Sequence, residues 1–348
     1  MNVGSGHFRR AVSFSRYLGQ RKINSIFVIN ESCRVLIDHL KTNLDNYRVI
    51  SDSLDWQSET KEIDAIAREV RPSCIVLDRP PLAVPDKKKV ALEYLTKLAN
   101  ISPILSFDGF CEVNFPYDLL VIPFPNAPDA PLNQIYSKAK NKCFGFDYFI
   151  LPNEFYEMSF SRKQNNAPPR KGILFVGGHD LKESIPFYLE LLHHLQPLLE
   201  PQLEVDIFLG GFDLKRGYEN KLANWLKSSS LKIRIQKDSK DFYSILSRAD
   251  FALLAGGLTK FEAAYLGIPS ITLSLTDDQE KYTRAFATGG SVLHLGQVEN
   301  LDPKKSLSSV FDFFTKKEVT QTLSNNGKRL IDGEGANRTI DKLLEILL

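Results

Sequence analysis

The residues of this chain whose types and spacing could do chemistry fall in three glycine loops and at two strand ends. The richest stretch is AGGLTKFEAAYLGIPSITLSLTDDQ, residues 255–279. An apolar run stops at Gly256 and Gly257, Leu258 and Thr259 follow, and a helix-like segment carries Glu262. Glycines between a strand and a helix expose several backbone N–H groups at a helix start, where phosphate oxygens are well held. One turn further on, Glu262 is spaced to reach the two hydroxyls of a ribose. Gly267, Pro269, a second apolar run and the polar end Asp277, Asp278 and Gln279 complete the stretch. The reading is a nucleotide diphosphate site, with simple strand-to-helix punctuation as the competing reading.

The first loop, GSGHFRR at residues 4–10, begins like a dinucleotide fingerprint, but Arg9 stands where its third glycine belongs. Without that glycine an NAD site is disfavoured. The loop instead sets His7 at a helix start beside Arg9 and Arg10. A histidine there can act as a general base; a helix-start histidine with no chemical role is the alternative. In the second loop, Gly177, Gly178, His179 and Asp180, the glycines admit close backbone approach by a ligand and Asp180 can cap the next helix. Asp78 ends SCIVLD and Asp108 ends PILSFD. Both are expected at the carboxyl edge of the first sheet, to orient His7 or bind sugar hydroxyls, with capping or a plain turn at Asp108-Gly109 as competitors.

Positioning these loops requires alternating strands and helices. Apolar runs predict strands at 25–30, 73–78, 103–108, 119–123, 173–176, 205–209, 232–235, 251–255 and 270–275. Amphipathic spacing predicts helices at 8–18, 32–41, 61–69, 88–98, 184–199 and 241–248. The fold class is α/β, with parallel sheets covered by helices in two Rossmann-type, doubly wound domains facing a cleft. The domains are expected at 1–160 and 173–336, joined by the polar, proline-containing linker 161–172, with a terminal helix at 337–348 that could pack on either domain. Only Met1, Asn2 and Val3 precede the first loop, too few for a leading strand of the usual ~5–6 residues. The first sheet is therefore expected to carry a stub, or an incomplete strand, beside His7.

Composition sets outer bounds. The chain has 348 residues, is 43% hydrophobic and 25% charged, and carries a net charge of +2. That suits two globular domains and gives no hint of a nucleic-acid partner. The four cysteines, Cys33, Cys74, Cys111 and Cys143, are widely spaced without a CxxC pair, which points away from a metal or disulfide framework and fits a reducing cytoplasm. No apolar run approaches the ~20 residues of a membrane span, and the first residues lack a signal-peptide core.

Together, GSGHFRR, GGHD and AGGLTKFEAAYLGIPSITLSLTDDQ resemble the nucleotide-sugar hydrolases of pseudaminic-acid biosynthesis and the related spore-coat polysaccharide proteins. The family's GxGHxxR loop is matched by Gly4, Gly6, His7 and Arg10, and its GGxD strand end by Gly177, Gly178 and Asp180. Its GGxTxxE, GxP and Gln series is matched by Gly256, Gly257, Thr259, Glu262, Gly267, Pro269 and Gln279. FGFDYFILPNEF, residues 144–155, is similar to the segment leading into the family's linker. Asp278 stands where the family usually has Asn, and DRPP from Asp78 lacks its tyrosine two residues after the aspartate.

The resemblance implies the GT-B fold, shared with the transferase that adds N-acetylglucosamine to lipid-linked peptidoglycan precursors. It implies hydrolysis of a UDP-sugar, as by UDP-2,4-diacetamido-2,4,6-trideoxy-beta-L-altropyranose hydrolase, with His7 activating water. Gly4, Ser5, Gly6, Arg10, Asp78 and Asp108 would then meet the substrate. Gly177, Gly178, Gly256, Gly257, Leu258, Thr259, Glu262, Asp278 and Gln279 would hold the nucleotide, with no metal or other cofactor. A GT-B glycosyltransferase using the same donor, and a non-catalytic sugar-nucleotide binding protein, are the alternatives.

Overall fold

The computed structural model describes residues 5–39, 46–80, 82, 84–124, 132–152, 154–155, 169–177, 180, 182–199, 202–209, 222, 226, 231–236 and 242–348. In chain order these form α1 (Ser5–Gln20), β1 (Phe27–Asn30), α2 (Arg34–His39), β2 (Tyr47–Ile50), α3 (Trp56–Val70), β3 (Ile75–Leu77), α4 (Lys87–Ala99), β4 (Ile104–Phe107), β5 (Leu119–Ile122), α5 (Leu132–Ile135) and β6 (Lys142–Phe144). There follow β7 (Lys171–Phe175), α6 (Ser184–Leu195), β8 (Glu204–Phe208), β9 (Lys232–Gln236), α7 (Phe242–Arg248), β10 (Phe251–Ala255), α8 (Thr259–Tyr265), β11 (Ser270–Ser274), α9 (Asp277–Thr288), β12 (Leu293–Gln297), α10 (Pro303–Thr315), α11 (Lys317–Leu330) and α12 (Gly335–Leu347).

The chain divides into two compact units. Unit 1 is Met1–Asn153 with Gly333–Leu348, and unit 2 is Glu154–Asp332. The 161–172 linker expectation needs correcting at its end, because β7 already starts at Lys171; residues 161–168 lie outside the described residues. The last helix starts at Gly335 rather than 337 and belongs to unit 1. There Arg338 donates to the Asp147 carbonyl at 3.0 Å, and Arg21 meets Asp341 at 3.2 Å. Gly335 packs against the Phe149 backbone, where a Cβ would come within 2.2 Å of the carbonyl oxygen.

In unit 1 the described strands fall in two parallel sheets, β1-β2 and β3-β4-β5-β6. Met1, Asn2 and Val3 lie outside the described residues, and among those described no strand precedes α1 or joins β1 to β3. Helix α1 serves both sheets. Phe8 and Val12 cluster with Ile29 of β1, while Phe14 meets Phe107 of β4 edge-on, with ring centroids 5.4 Å apart. The α1 N-terminus is thereby fixed beside the carboxyl ends of β3 and β4.

Unit 2 is one parallel sheet in the order β12-β11-β10-β7-β8-β9. Every residue of β10 and β11 is buried, as expected for central strands with helices on both faces. Gly327 of α11 lies so close to Ala264 of α8 that a Cβ would come within 3.1 Å of the Ala264 Cβ. Gly267, with φ +67°, ends α8 in the left-handed conformation that glycine adopts without penalty, and Ser324 donates to its carbonyl at 2.8 Å. These contacts seat α8 and the loop before it.

Candidate functional site

Unit 1 gathers four of the expected residues into one ionic cluster. Arg10 grips Asp78 with two donors, Nε to Oδ2 at 2.7 Å and Nη2 to Oδ1 at 2.6 Å. The same Nη2 reaches Asp108 Oδ2 at 2.6 Å, and the guanidinium lies 4.8 Å from the Phe107 ring centroid. His7 Nδ1 stands 2.7 Å from Asp78 Oδ1. Burial alone would raise the Asp78 pKa, but the Arg10 charge and the hydrogen bonds from Arg10 and His7 outweigh it and hold the carboxyl below its ordinary range. The Arg10 guanidinium is correspondingly locked in its charged form.

A charged carboxylate only accepts, so His7 carries its proton on Nδ1 and donates to Asp78. Arg10 Nη2 also approaches Nδ1, at 3.3 Å, but it is a donor too, and the shorter carboxylate contact sets the tautomer. In the neutral imidazole this leaves the lone pair on Nε2, which has no partner among the described residues. A carboxylate-oriented histidine with a free nitrogen, a third exposed, is the arrangement a general base needs. One ligand atom from each of His7, Asp78 and Asp108 lies within 4.8 Å of the others, a spacing able to hold a cation. Here Arg10 bridges the two carboxylates as a fixed cation. Asp108 sits at φ +62°, and its second oxygen, Oδ1, is buried without a hydrogen-bond partner.

In unit 2 the two glycines of the third loop do different work. A Cβ on Gly256 would meet Thr283 Oγ1 at 2.7 Å and Gln279 Cβ at 2.9 Å, so this glycine lets α9 pack against the loop. A Cβ on Gly257 would meet nothing within 4 Å. Gly257 is therefore the place where a ligand can approach the backbone. Lys260, 1% exposed, turns inward and donates to the carbonyls of Gly256 and Gly257 at 2.6 and 2.9 Å. Its ammonium lies 4.2 Å from the Phe261 ring centroid, and burial lowers its pKa to about 7. Glu262 is buried on α8. Gln279 spends its Oε1 on the Leu275 N–H at 2.9 Å, so a ligand would be offered its NH2 end. Asp278 is exposed and 3.7 Å from Lys281.

The second loop is only partly described. Gly177 has φ +99° and open space where a Cβ would lie, while Gly178 lies outside the described residues, as does Gly4. Ser5 and Gly6 form the first turn of α1. Asp180 caps α6: its carboxylate accepts from the N–H groups of Ser184 and Ile185 at 2.7 and 2.9 Å. Sequence reasoning missed Lys260, because a lysine in a helix reads as solvated. The signal was present, since α8 reads TKFEAAY between two strongly apolar strands, which marks a helix buried on most sides; the structure buries Lys260 to Tyr265 throughout.

No protein-family model matches the chain. It is 24% identical over 307 residues to an uncharacterized protein of Methanocaldococcus jannaschii, covering 86% of this chain and 59% of that protein. It is 28% identical over 221 residues to the spore coat polysaccharide biosynthesis protein SpsG of Bacillus subtilis, covering 60% of this chain and 62% of SpsG. The chain thus spans about three fifths of the length of these relatives. Among solved structures, MurG of Acinetobacter baumannii matches with TM-score 0.67 and 13% identity, covering 98% of this chain and 96% of MurG. UDP-GlcNAc 2-epimerase of Neisseria meningitidis, bound to UDP-GlcNAc, matches with TM-score 0.63 and 13% identity, covering 98% and 97%. The spinosyn rhamnosyltransferase SpnG, complexed with thymidine diphosphate, matches with TM-score 0.55 and 16% identity, covering 97% and 96%. The chain has the GT-B-like α/β fold of these proteins.

Proposed function

We propose that this chain is a nucleotide-sugar hydrolase, in which unit 2 holds the nucleoside diphosphate and His7 of unit 1 activates water against the sugar's anomeric carbon. The observation that carries the reading is the His7-Asp78-Arg10 cluster. It fixes one imidazole tautomer beside a charged carboxylate and leaves Nε2 able to take a proton from water. Diphosphate departs as its charge grows, and one well-aimed N–H donor in such a place is worth about 3 kcal/mol in the transition state. Support for the donor class comes from the loop at Gly256 to Thr259 and from solved relatives of the fold that carry UDP-GlcNAc or thymidine diphosphate.

The second reading is a glycosyltransferase in polysaccharide biosynthesis, in which an acceptor hydroxyl takes the place of water. The similarity to SpsG and to solved glycosyltransferases favours it as much as hydrolysis. Incubation with a UDP-sugar panel, with and without candidate acceptors, separates the two. Hydrolysis releases UDP without an acceptor, and His7→Ala lowers that rate by about 10²- to 10⁴-fold. UDP release that survives His7→Ala unchanged removes His7 from the chemistry.

A further inference from the structure

The ammonium of Lys260 is buried and has no ion pair among the described residues; its hydrogen-bond partners there are the neutral carbonyls of Gly256 and Gly257. A buried cation is normally matched by a carboxylate, since desolvating an unpaired charge is costly. The geometry shows what this one does to the loop. In a planar trans peptide the C=O of one residue and the N–H of the next point in opposite directions. Turning the Gly256 and Gly257 carbonyls inward onto Nζ therefore turns the Gly257 and Leu258 N–H groups outward. Neither N–H has a backbone acceptor among the described residues, and the space over Gly257 is open. Successive outward N–H groups form an anion-binding concavity.

We infer that Lys260 is a positioning residue of the nucleotide site, holding two peptide units so that their N–H groups meet the diphosphate, whose negative charge is the counter-charge this buried ammonium otherwise lacks. The inference rests on the nucleotide reading above. It makes Lys260 a sensor of phosphate rather than of base or ribose, because its hydrogen-bond partners among the described residues are the two loop peptides.

The test is calorimetry of the full chain with UDP, UMP and uridine, using Lys260→Met and Lys260→Gln alongside the unaltered protein. Lys260→Met is expected to weaken UDP binding at least tenfold and UMP binding less, and to leave uridine within twofold, while its unliganded melting temperature is equal or higher. A purely structural lysine would instead lower that temperature and weaken all three ligands alike. Lys260→Gln keeps a donor to the carbonyls without the charge and should fall between, so it carries the test if the Met variant fails to fold. UDP affinity within twofold of the unaltered protein in either folded variant overturns the inference while leaving the nucleotide reading standing. An unaltered chain that binds none of the three ligands overturns the nucleotide reading, and this inference with it.

Discussion

Unit 1 and unit 2 each bury a cation, and they treat it in opposite ways. Arg10 is surrounded by charge: Asp78 takes two of its donors and Asp108 a third contact, so the guanidinium is held charged and the Asp78 carboxyl is held ionised. Lys260 faces only peptide carbonyls and an aromatic ring, and burial drags its pKa from 10.5 to about 7. A charge-paired cluster holds His7 in one orientation. An unmatched charge is destabilising until something negative arrives. On the proposed function, the contrast is between a place that positions a proton acceptor and a place that waits for an anion.

The largest effect is expected at Arg10. Arg10→Met leaves the Asp78 carboxylate buried without its main counter-charge, an error that typically costs about 3–5 kcal/mol. Urea denaturation should show that loss; a change below 1 kcal/mol would mean the cluster is not the anchor described. The second effect is pH dependence from Lys260. The unfolded chain keeps the lysine protonated up to 10.5 and the folded chain only to about 7, so between these values the unfolded state binds more protons. Stability should therefore rise with pH across that window, by up to about 1.4 kcal/mol per pH unit from this group, and the slope should be absent in Lys260→Met. Denaturation of both proteins at pH 7.5 and 9.5 measures it, and equal slopes would contradict the assignment.

The smallest effect separates the two loop glycines. Gly256→Ala must displace Thr283 or Gln279 and is expected to cost about 1–2 kcal/mol of stability, as overpacking does. Gly257→Ala has open space and should change stability by only about 0.5 kcal/mol, while weakening UDP binding. Melting curves and calorimetry on the pair check this. Equal stability losses would deny the division of labour between the glycines.

Much of this was legible from residue types. The apolar run at 251–255 and the glycines behind it could only be a buried strand entering a loop, and SCIVLD and PILSFD placed Asp78 and Asp108 at strand ends. β2, β6 and β12 were not legible, being three to five residues long and carrying Arg48, Lys142, or His294 with Gly296. What joins the site was hidden for a different reason. Arg10 and Asp78 are 68 residues apart, and their pairing follows from α1 packing across two sheets, which no local pattern encodes. Asp180 could be read as a cap or a ligand-loop residue, and only the Ser184 and Ile185 N–H groups decide it.

On the proposed function, His7 directs water at the anomeric carbon of a UDP-linked sugar. Product analysis by mass spectrometry after incubation with a UDP-sugar panel in ¹⁸O-enriched water tests it most directly. Attack by water at the anomeric carbon is expected to give free sugar carrying one ¹⁸O and UDP carrying none, formed without any acceptor and lost in His7→Ala. Release of UDP only when an acceptor is added, or label appearing in the UDP, would contradict it.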